Sequence, residues 1–590
     1  MLSPKLDSRT PLTSAMSESP ETPPKNSIEQ GFLLSQQASY APNSSSFELN
    51  TSSRSNSESD KTSSIKKNIL YLSIGFISAL SLLAAFNNST PQLSNKDTLD
   101  TSSSPNINVI LMISDGFGPA SETLARQYMY KALNKDISWK SPLDEILVGS
   151  SRTQSSNSLV TDSAAGATAF SCALKSYNGA IAVDDNKRPC GTILEAAKSK
   201  GMLTGLVATS RITHATPASF SSHVIHRDME DLIAEHQIGN YTLGRVIDLM
   251  FGGGKCFFLP NSDTESCRSD DRNLLKEAMA TGFSTIHTID ELKKIEPSSA
   301  LPLLGLFTRN HMNYEIDRNP RNEPSLAEMT TKALSIFDHN TKNNNNGFFL
   351  MVEGSRIDMS AHSNDASTHL REIFAYWDAV KVVRDFVDKN PNTLMISVSD
   401  HETGGISVAR QLNSDYPEYL WNPHALTNVT KSNEMISKQL SNFIYDEDAS
   451  ESQAQQKINF IKSTVLPVWM GISDFTEVEV NGLAYASNST VLNQILSDLV
   501  SKRAQIGWAT HGHSAVDVNL YAYGYNSEKL HGNVENTDIG SFIKSVLGLD
   551  LNLITEKLSK IRTKQTTKYN VSNWLTKRGP FNYNHYTSFD

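Results

Sequence analysis

An α/β fold is what this sequence predicts, with a mostly parallel central sheet and helices on both faces. Three observations carry that expectation. Short apolar runs rich in branched residues end abruptly in polar clusters, as strands buried on both faces do at their carboxyl ends. Helical spacing fills the stretches between them. The polar clusters, far apart in sequence, would then meet at one end of the sheet, where open α/β folds bind their ligands.

The first strand is expected over Asn108-Val109-Ile110-Leu111-Met112-Ile113, followed by Ser114-Asp115-Gly116, so that Asp115 stands at its carboxyl edge. Gly205-Leu206-Val207-Ala208-Thr209 leads towards His214 and Thr216. Gly347-Phe348-Phe349-Leu350-Met351-Val352 delivers Glu353, and Thr393-Leu394-Met395-Ile396-Ser397-Val398-Ser399 delivers Asp400 and His401. Helices are expected over 192–200, 326–340 and 367–388, the last with Leu370, Ile373, Phe374, Trp377, Val380 and Val383 at helical spacing. From 411 to 504 the pattern is less regular and rich in Asn and Ser, which reads as an inserted region capping the sheet edge. A terminal helix is expected over 541–561.

At 590 residues the chain exceeds the usual size of a single domain, so extensions are expected. Residues 1–65, rich in Ser, Pro, Asn and Thr, read as a disordered tail. Ile69 to Phe86 runs 18 residues without a charge, just enough to span a bilayer, and sets an expected transmembrane signal-anchor helix at 66–88. It lies too far from Met1 for an ordinary cleaved signal peptide. Lys61, Lys66 and Lys67 precede it, whereas Lys96 beyond it is offset by Asp97. The positive-inside rule therefore puts the tail in the cytosol and the rest of the chain on the lumenal or extracellular side. A linker at 89–105, a catalytic domain at 106–553 and a polar, basic tail at 554–590 complete the expected organisation.

Two features agree with that topology. Asn240, Asn428, Asn488 and Asn570 each open a glycosylation triplet beyond the span. All four cysteines also follow it, as disulfides would require. Four cysteines allow three pairings; the sequence-local ones, Cys172 with Cys190 and Cys256 with Cys267, are expected over four free thiols, and no CxxC spacing suggests a metal cluster. In the tail, Glu29-Gln30-Gly31-Phe32-Leu33-Leu34 resembles an acidic dileucine sorting signal, in which Glu29, Leu33 and Leu34 would be read by adaptor coats that route membrane proteins to vacuoles or lysosomes.

A net charge of -10 leaves no electrostatic footprint for nucleic acid. An acidic surface also repels phosphate esters, so any phosphate site here must make its own positive field, most simply with metals. The clusters can hold them. Asp162 and Ser163 precede the small-residue run Ala164 to Ala169, which suits a helix start with Asp162 at the cap and Ser163 in the first turn. Exposed amides there can hold an anion beside the hydroxyl. No Gly-x-Ser-x-Gly elbow surrounds Ser163, so a metal is its expected activator.

Asp358 and His362 stand four apart, aligned on a helix or folded turn. Asp400-His401 offers oxygen and nitrogen at a strand end, and His511-Gly512-His513 adds imidazole. Mixed imidazole and carboxylate sets suit zinc, whereas Glu353, Thr216 and Asp115 present oxygen and suit magnesium. Any one of these alone would be an ordinary surface charge or a satisfied buried polar group. Together they point to metal-assisted phosphoryl transfer.

From about 106 to 548 the chain resembles the alkaline phosphatase family, above all in Thr161-Asp162-Ser163-Ala164-Ala165-Gly166-Ala167-Thr168-Ala169 and in Val352-Glu353-Gly354-Ser355-Arg356-Ile357-Asp358. The tail and single span are similar to the fungal vacuolar, type II membrane branch of that family. The resemblance implies that Ser163 is the nucleophile that becomes phosphoserine. It further implies one zinc on Asp358, His362 and His513, a second on Asp115, Asp400 and His401, and magnesium on Asp115, Thr216 and Glu353. Arg227, in His223-Val224-Ile225-His226-Arg227, matches the phosphate-clamping arginine, with Asp162 and His214 as neighbours of the site. His513, not His511, stands four residues before Asp517-Val518, the register of the last zinc ligand.

Some positions depart from the family pattern. Met359 replaces the lysine or histidine that many members carry, and Ser114 and Phe117 replace the commoner Gly and Met beside Asp115. His214 occupies a position that is aspartate in some bacterial members and histidine in animal ones. The implied enzyme hydrolyses phosphate monoesters, small ones and phosphopeptides among them, in two in-line displacements with two zinc ions and one magnesium per subunit. The resemblance also implies a homodimer, with the catalytic domain lumenal in the vacuole. Two other readings are a related metal-dependent phosphodiesterase or sulfatase, and an inactive membrane receptor retaining the fold. A sulfatase needs a modification motif absent here, diesterases usually carry a Thr nucleophile without the magnesium set, and a dead receptor would have lost ligands.

Overall fold

Residues 106–342, 346–446 and 450–565 are described by a computed structural model. Along the chain the strands are β1 (Asn108–Ser114), β2 (Leu147–Arg152), β3 (Leu203–Arg211), β4 (Leu249–Gly253), β5 (Ser284–Ile286), β6 (Leu303–Leu306), β7 (Phe348–Gly354) and β8 (Thr393–Val398). Four two-residue strands follow, β9 (Glu402–Thr403), β10 (Ser407–Val408), β11 (Ile506–Gly507) and β12 (His513–Ser514), then β13 (Val518–Gly524) and β14 (Gly532–Glu535). Ten of them form one sheet in the order β14-β2-β13-β8-β1-β7-β3-β4-β6-β5. Neighbours pair in parallel except at β13, which runs antiparallel to both β8 and β2.

The pleat of β1 divides the interior. Val109, Leu111 and Ile113 join one apolar cluster and Ile110 and Met112 the other, so the sheet separates two cores and each face is covered by helices. The long helix Ala366–Lys389 lies on one face, where Leu370, Ile373, Trp377, Val380 and Val383 pack into the same cluster as Ile110 and Met112. The helix Ile193–Ser199 lies on the other, with Ile193 and Leu194 beside Val109 and Leu111. Side chains of these sizes contribute about 1.5–3 kcal/mol each when fully buried, which makes the central strands the least deformable part of the molecule.

Both sequence-local disulfides are formed, Cys172–Cys190 and Cys256–Cys267. The first ties the C-terminal end of the helix Ser163–Cys172 to the segment entering the helix Ile193–Ser199.

Residues 411–504 differ from the expectation of an irregular region. They carry the helices Asn433–Ser441, Gln453–Phe460, Glu477–Ala484 and Ser489–Ala504 and a π-helix at Ile461–Trp469. The Ser, Thr and Asn residues that suggested loops are helix caps: Ser432, Ser452, Thr476 and Asn488 each accept a bond from the backbone N–H three residues on. The region meets the rest of the chain through the turn Pro423–Leu426, against the helix Pro119–Lys131, and through the helix Ser489–Ala504, against β11 and the helix Ala366–Lys389. Antiparallel pairing of β10 with β11 brings the two ends of the region together.

The single terminal helix expected over 541–561 is two, Asn536–Leu547 and Leu551–Gln565. Gly548, at φ +57°, closes the first in a left-handed conformation, and Asp550 Oδ1 accepts the Leu553 N–H at the start of the second. Among the described residues no helix is long and apolar enough to cross a membrane. The tail at 1–65 with Glu29, Leu33 and Leu34, the span at 66–88, the linker at 89–105 and Asn570 lie outside the described residues.

Candidate metal and phosphate site

Strand register assembles the site. Ile113 of β1 pairs with Glu353 of β7 and with Val398 of β8, and Ala208 of β3 also pairs with Glu353. Four adjacent parallel strands therefore release Asp115, Glu353 and the Ser399-Asp400-His401 segment at the same end of the sheet. Gly116, at φ +78°, turns the chain there, and a Cβ on it would meet Asp358 Cα at 2.5 Å. Only glycine lets the Asp115 loop come this close to the helix Arg356–His362.

That helix carries Asp358 and His362 one turn apart, with Asp358 Oδ1 3.2 Å from His362 Nε2. His513, in β12, points its Nε2 to 3.1 Å from His362 Nε2 and 3.6 Å from Asp358 Oδ1. One ligand atom each from Asp358, His362 and His513 falls within 4.8 Å of the others. A second such group is Asp115, His401 and Asp358. Asp400, the residue expected with Asp115 and His401, adjoins it, with Oδ2 3.3 Å from His401 Nε2. Asp358 thus sits between the two groups.

The carboxylates are buried and most of their oxygens have no protein partner: only Asp358 Oδ1, from Thr403, and Glu353 Oε2, from Ser210, accept side-chain hydrogen bonds. Asp115, Asp358, Asp400 and Glu353 are at most 1% exposed. Both oxygens of Asp115, both of Asp400, Asp358 Oδ2, Glu353 Oε1 and Thr216 Oγ1 lack hydrogen-bond partners. Buried, unpaired carboxylates are costly unless cations neutralise them. Burial, reinforced by Asp400, Asp358 and Glu353, holds Asp115 well above the usual carboxylate range. Burial also pushes Asp400 up to about 8 and Glu353 up to about 7. On Asp358 burial acts in the same direction, but His362, His513 and His401 outweigh it and keep that carboxyl low. Burial keeps His401 well below its ordinary value and lowers His513 to about 4, which leaves neutral nitrogens of the kind metals bind. The residues present therefore fit metal ions, with imidazole in two groups and oxygen donors at Asp115, Glu353 and Thr216.

Hydrogen bonds aim these donors. His513 Nδ1 faces Thr161 O at 2.7 Å, and His401 Nδ1 lies 3.2 Å from Thr403 Oγ1, which itself donates to Asp358 Oδ1. His362 Nδ1 bonds the carbonyl of His511, while His511 Nδ1 donates to the His362 carbonyl at 2.8 Å. His511 is a brace for His362 and not itself a member of either group. Glu402, the third residue of the Asp400-His401-Glu402 cluster, accepts from the N–H groups of Gly405 and Ile406 and shapes the loop. Thr403 and the brace role of His511 were not singled out in the sequence; the two-residue offset of Thr403 from His401 was the available signal.

Ser163 is the first residue of its helix, capped by Asp162, whose Oδ1 accepts from Ala165 N at 2.9 Å. Its hydroxyl lies 3.1 Å from His401 Nε2. Gly166 allows that helix to press on the second group, since a Cβ there would stand 2.9 Å from Asp400 Cβ. Arg227, 5% exposed, reaches the same helix start, with Nη1 3.1 Å from Asp162 Oδ2 and Nη2 3.0 Å from His214 Nε2. Asp162 Oδ2 also accepts from Gly179 N, and Arg227 N donates to Gly179 O. Asp162 therefore caps the helix and orients the arginine at once. Ser163, Arg227, Asp162, His214 and the Asp and His donors are thus linked by contacts, and Thr216 neighbours Glu353.

Residues 106–549 match the family model for alkaline phosphatase. The chain is 46% identical to the repressible alkaline phosphatase of Saccharomyces cerevisiae over 79% of its own length and 85% of that protein. It is 48% identical to the alkaline phosphatase of Schizosaccharomyces pombe over 76% of its length and 83% of the relative. The chain belongs to the alkaline phosphatase family. A crystal structure of the cold-active alkaline phosphatase of a psychrophilic Shewanella sp. superposes with a TM-score of 0.63 at 31% identity, covering 75% of this chain and all of that one. The alkaline phosphatase fold accounts for the parallel sheet and for the meeting of the clusters at its carboxyl end. The family is metal-dependent, as the orphaned carboxylates of this member require.

Proposed function

We propose that the chain hydrolyses phosphate monoesters to alcohol and inorganic phosphate through a phosphoserine at Ser163. The observation that carries this reading is the buried hydroxyl of Ser163 at a helix start, 3.1 Å from His401 Nε2 and flanked by Arg227. In the first displacement Ser163 Oγ bonds to phosphorus as the ester P–O bond breaks. In the second, water oxygen bonds to phosphorus, the P–Oγ bond breaks and the hydroxyl regains its proton. The amides at the helix start and Arg227, which can make paired bonds, hold the phosphoryl oxygens through both steps.

The imidazole-containing groups, Asp358 with His362 and His513 and Asp115 with Asp400 and His401, would hold two zinc ions, and Asp115, Thr216 and Glu353 would hold magnesium. When bound, such ions supply Lewis acidity that lowers the pKa of a hydroxyl or water and stabilises a departing alkoxide. Glu353 is buried beneath Ser210 and Ser355, whose hydroxyls fix the loop joining β7 to the helix bearing Asp358.

We place the catalytic domain in the vacuole lumen, as a homodimer behind one N-terminal span, with adaptor coats reading Glu29, Leu33 and Leu34. Exposed Asn240, Asn428 and Asn488, together with two disulfides, support a lumenal domain; Asn570 is the fourth expected glycosylation site. Retention of the native destination after Leu33→Ala with Leu34→Ala would remove the sorting proposal.

The chemistry is tested with Ser163→Ala. It should abolish p-nitrophenyl phosphate turnover, leave bound metal near wild-type content, and leave wild-type preference for monoester over diester as the reference. Robust monoesterase activity in the variant would overturn the nucleophile assignment.

A further inference from the structure

Beside the proposed metal groups lies a cleft of about 890 Å³. His214 and Met359 are among the residues lining it. His214 contacts Arg227, and Met359 follows Asp358 in the chain, so the cleft opens directly from the place where a phosphoryl group would be held. The helix Asn433–Ser441 of the inserted region and the segment 308–314 also line it.

The lining is polar and its charge is unbalanced. Arg309, Arg356 and Lys438 face a single carboxylate, Glu434. Arg356 is fixed at the floor: its guanidinium stacks 3.4 Å from the centre of the Tyr314 ring, donates to Met312 O and pairs with Glu434 at 2.8 Å. Glu434 is therefore spent on Arg356. Arg309 has its partner, Glu265, outside this cleft, and Lys438 makes no ion pair among the described residues. Position 359, beside the donor Asp358, is apolar, whereas the cations of the cleft stand on elements that carry no proposed metal donor: Lys438 on the helix Asn433–Ser441 and Arg309, paired with Glu265, on the segment 308–314. In a chain of net charge -10 this local reversal focuses anions on the cleft.

We propose that the cleft is a leaving-group subsite for small hydroxyl-rich phosphate monoesters carrying a second phosphate, which Arg309 and Lys438 bind while the first is hydrolysed. This rests on the phosphatase reading above. It gives the inserted region a role in substrate choice, because Lys438 belongs to that region and the metal ligands do not.

The test compares glucose 1,6-bisphosphate with glucose 6-phosphate on the metal-loaded enzyme, with p-nitrophenyl phosphate as a reporter of the shared chemistry. The wild type should favour the bisphosphate by about fivefold in kcat/KM, through KM, and the preference should shrink as ionic strength rises. Lys438→Glu, an exposed helix position, should bring the ratio to about one while p-nitrophenyl phosphate turnover is unchanged, and Arg309→Glu should act in the same direction. A bisphosphate preference that is absent in the wild type, or that survives both substitutions, overturns the subsite. Loss of p-nitrophenyl phosphate turnover in the wild type itself would instead overturn the phosphatase reading, and the subsite with it.

Discussion

Arg227 is held ready before any phosphate arrives. Its bonds to Asp162 and His214 fix a long side chain whose ordering would otherwise cost up to about 2 kcal/mol on binding. Arg227→Ala should raise the inhibition constant of inorganic phosphate about tenfold to hundredfold, the worth of charge-assisted bonds to an anion. Asp162→Asn separates the two duties of its residue. Asparagine keeps the cap through its oxygen, but its amide then faces the Gly179 N–H and the Arg227 guanidinium that Oδ2 accepts from, so thermal stability should fall by about 1 kcal/mol while phosphate inhibition weakens severalfold. Equal phosphate inhibition in Asp162→Asn and wild type would show that the aspartate is a cap and nothing more. The sequence signalled the cap of Asp162 but not its hold on Arg227, 65 residues away, because only the fold brings them together.

At the scale of elements, legibility depended on what a pattern leaves ambiguous. Apolar runs ending in carboxylates located β1, β7 and β8 to within a residue or two, since strands buried on both faces admit few other residues. The inserted region was misread because Ser, Thr and Asn serve both loops and helix caps, and only the accepted N–H bonds distinguish the two. The terminal helix was drawn too long because apolar periodicity continues across Gly548 while the backbone does not.

The loop 508–512 shows a coupling between elements that no local pattern announces. His511 and His362 exchange bonds through ring and carbonyl, and Asn364 Nδ2 donates to Thr510 O at 3.0 Å, so the loop clamps the end of the helix bearing two metal donors. Removal of such supporting bonds typically weakens metal affinity about tenfold to hundredfold. His511→Ala removes the ring bond to the His362 carbonyl but leaves the 511 carbonyl on His362 Nδ1, so the variant should lose bound metal to a chelator only severalfold faster, with circular dichroism unchanged. Metal retention equal to wild type would show that the clamp is redundant.

Across the whole molecule, the sheet separates two packed cores and one of them holds a buried acid away from the site. Glu122 is 3% exposed, accepts from Ser141 and Trp377, and burial raises its pKa from 4.5 to about 7. The folded state keeps this proton while the unfolded chain releases it near pH 4.5, so stability is greatest below that pH and declines up to about pH 7. The decline amounts to about 3 kcal/mol at most and stops above pH 7, where both states are ionised. Glu122→Gln should lessen the dependence of unfolding free energy on pH between 5 and 7, to which Glu372, also pushed up to about 7 by burial, contributes as well, measured by urea denaturation at a series of pH values. An unchanged slope would place the titrating group elsewhere.

The same architecture explains why clusters as far apart as Asp115, Glu353 and Asp400-His401 could be read as one site: adjacent parallel strands β8, β1 and β7 end together, whatever their separation in sequence. What could not be read was the cleft beside them, since its walls come from segments with no shared motif. The central claim is that Ser163 carries the phosphoryl group between the two displacements. The most direct measurement is acid quenching of the metal-loaded enzyme during turnover of a ³²P-labelled monoester, followed by peptide mapping. The account predicts label on the peptide containing Ser163, approaching one phosphate per site at low pH and absent in Ser163→Ala. Turnover with no covalent label under those conditions, or label on another residue, would contradict it.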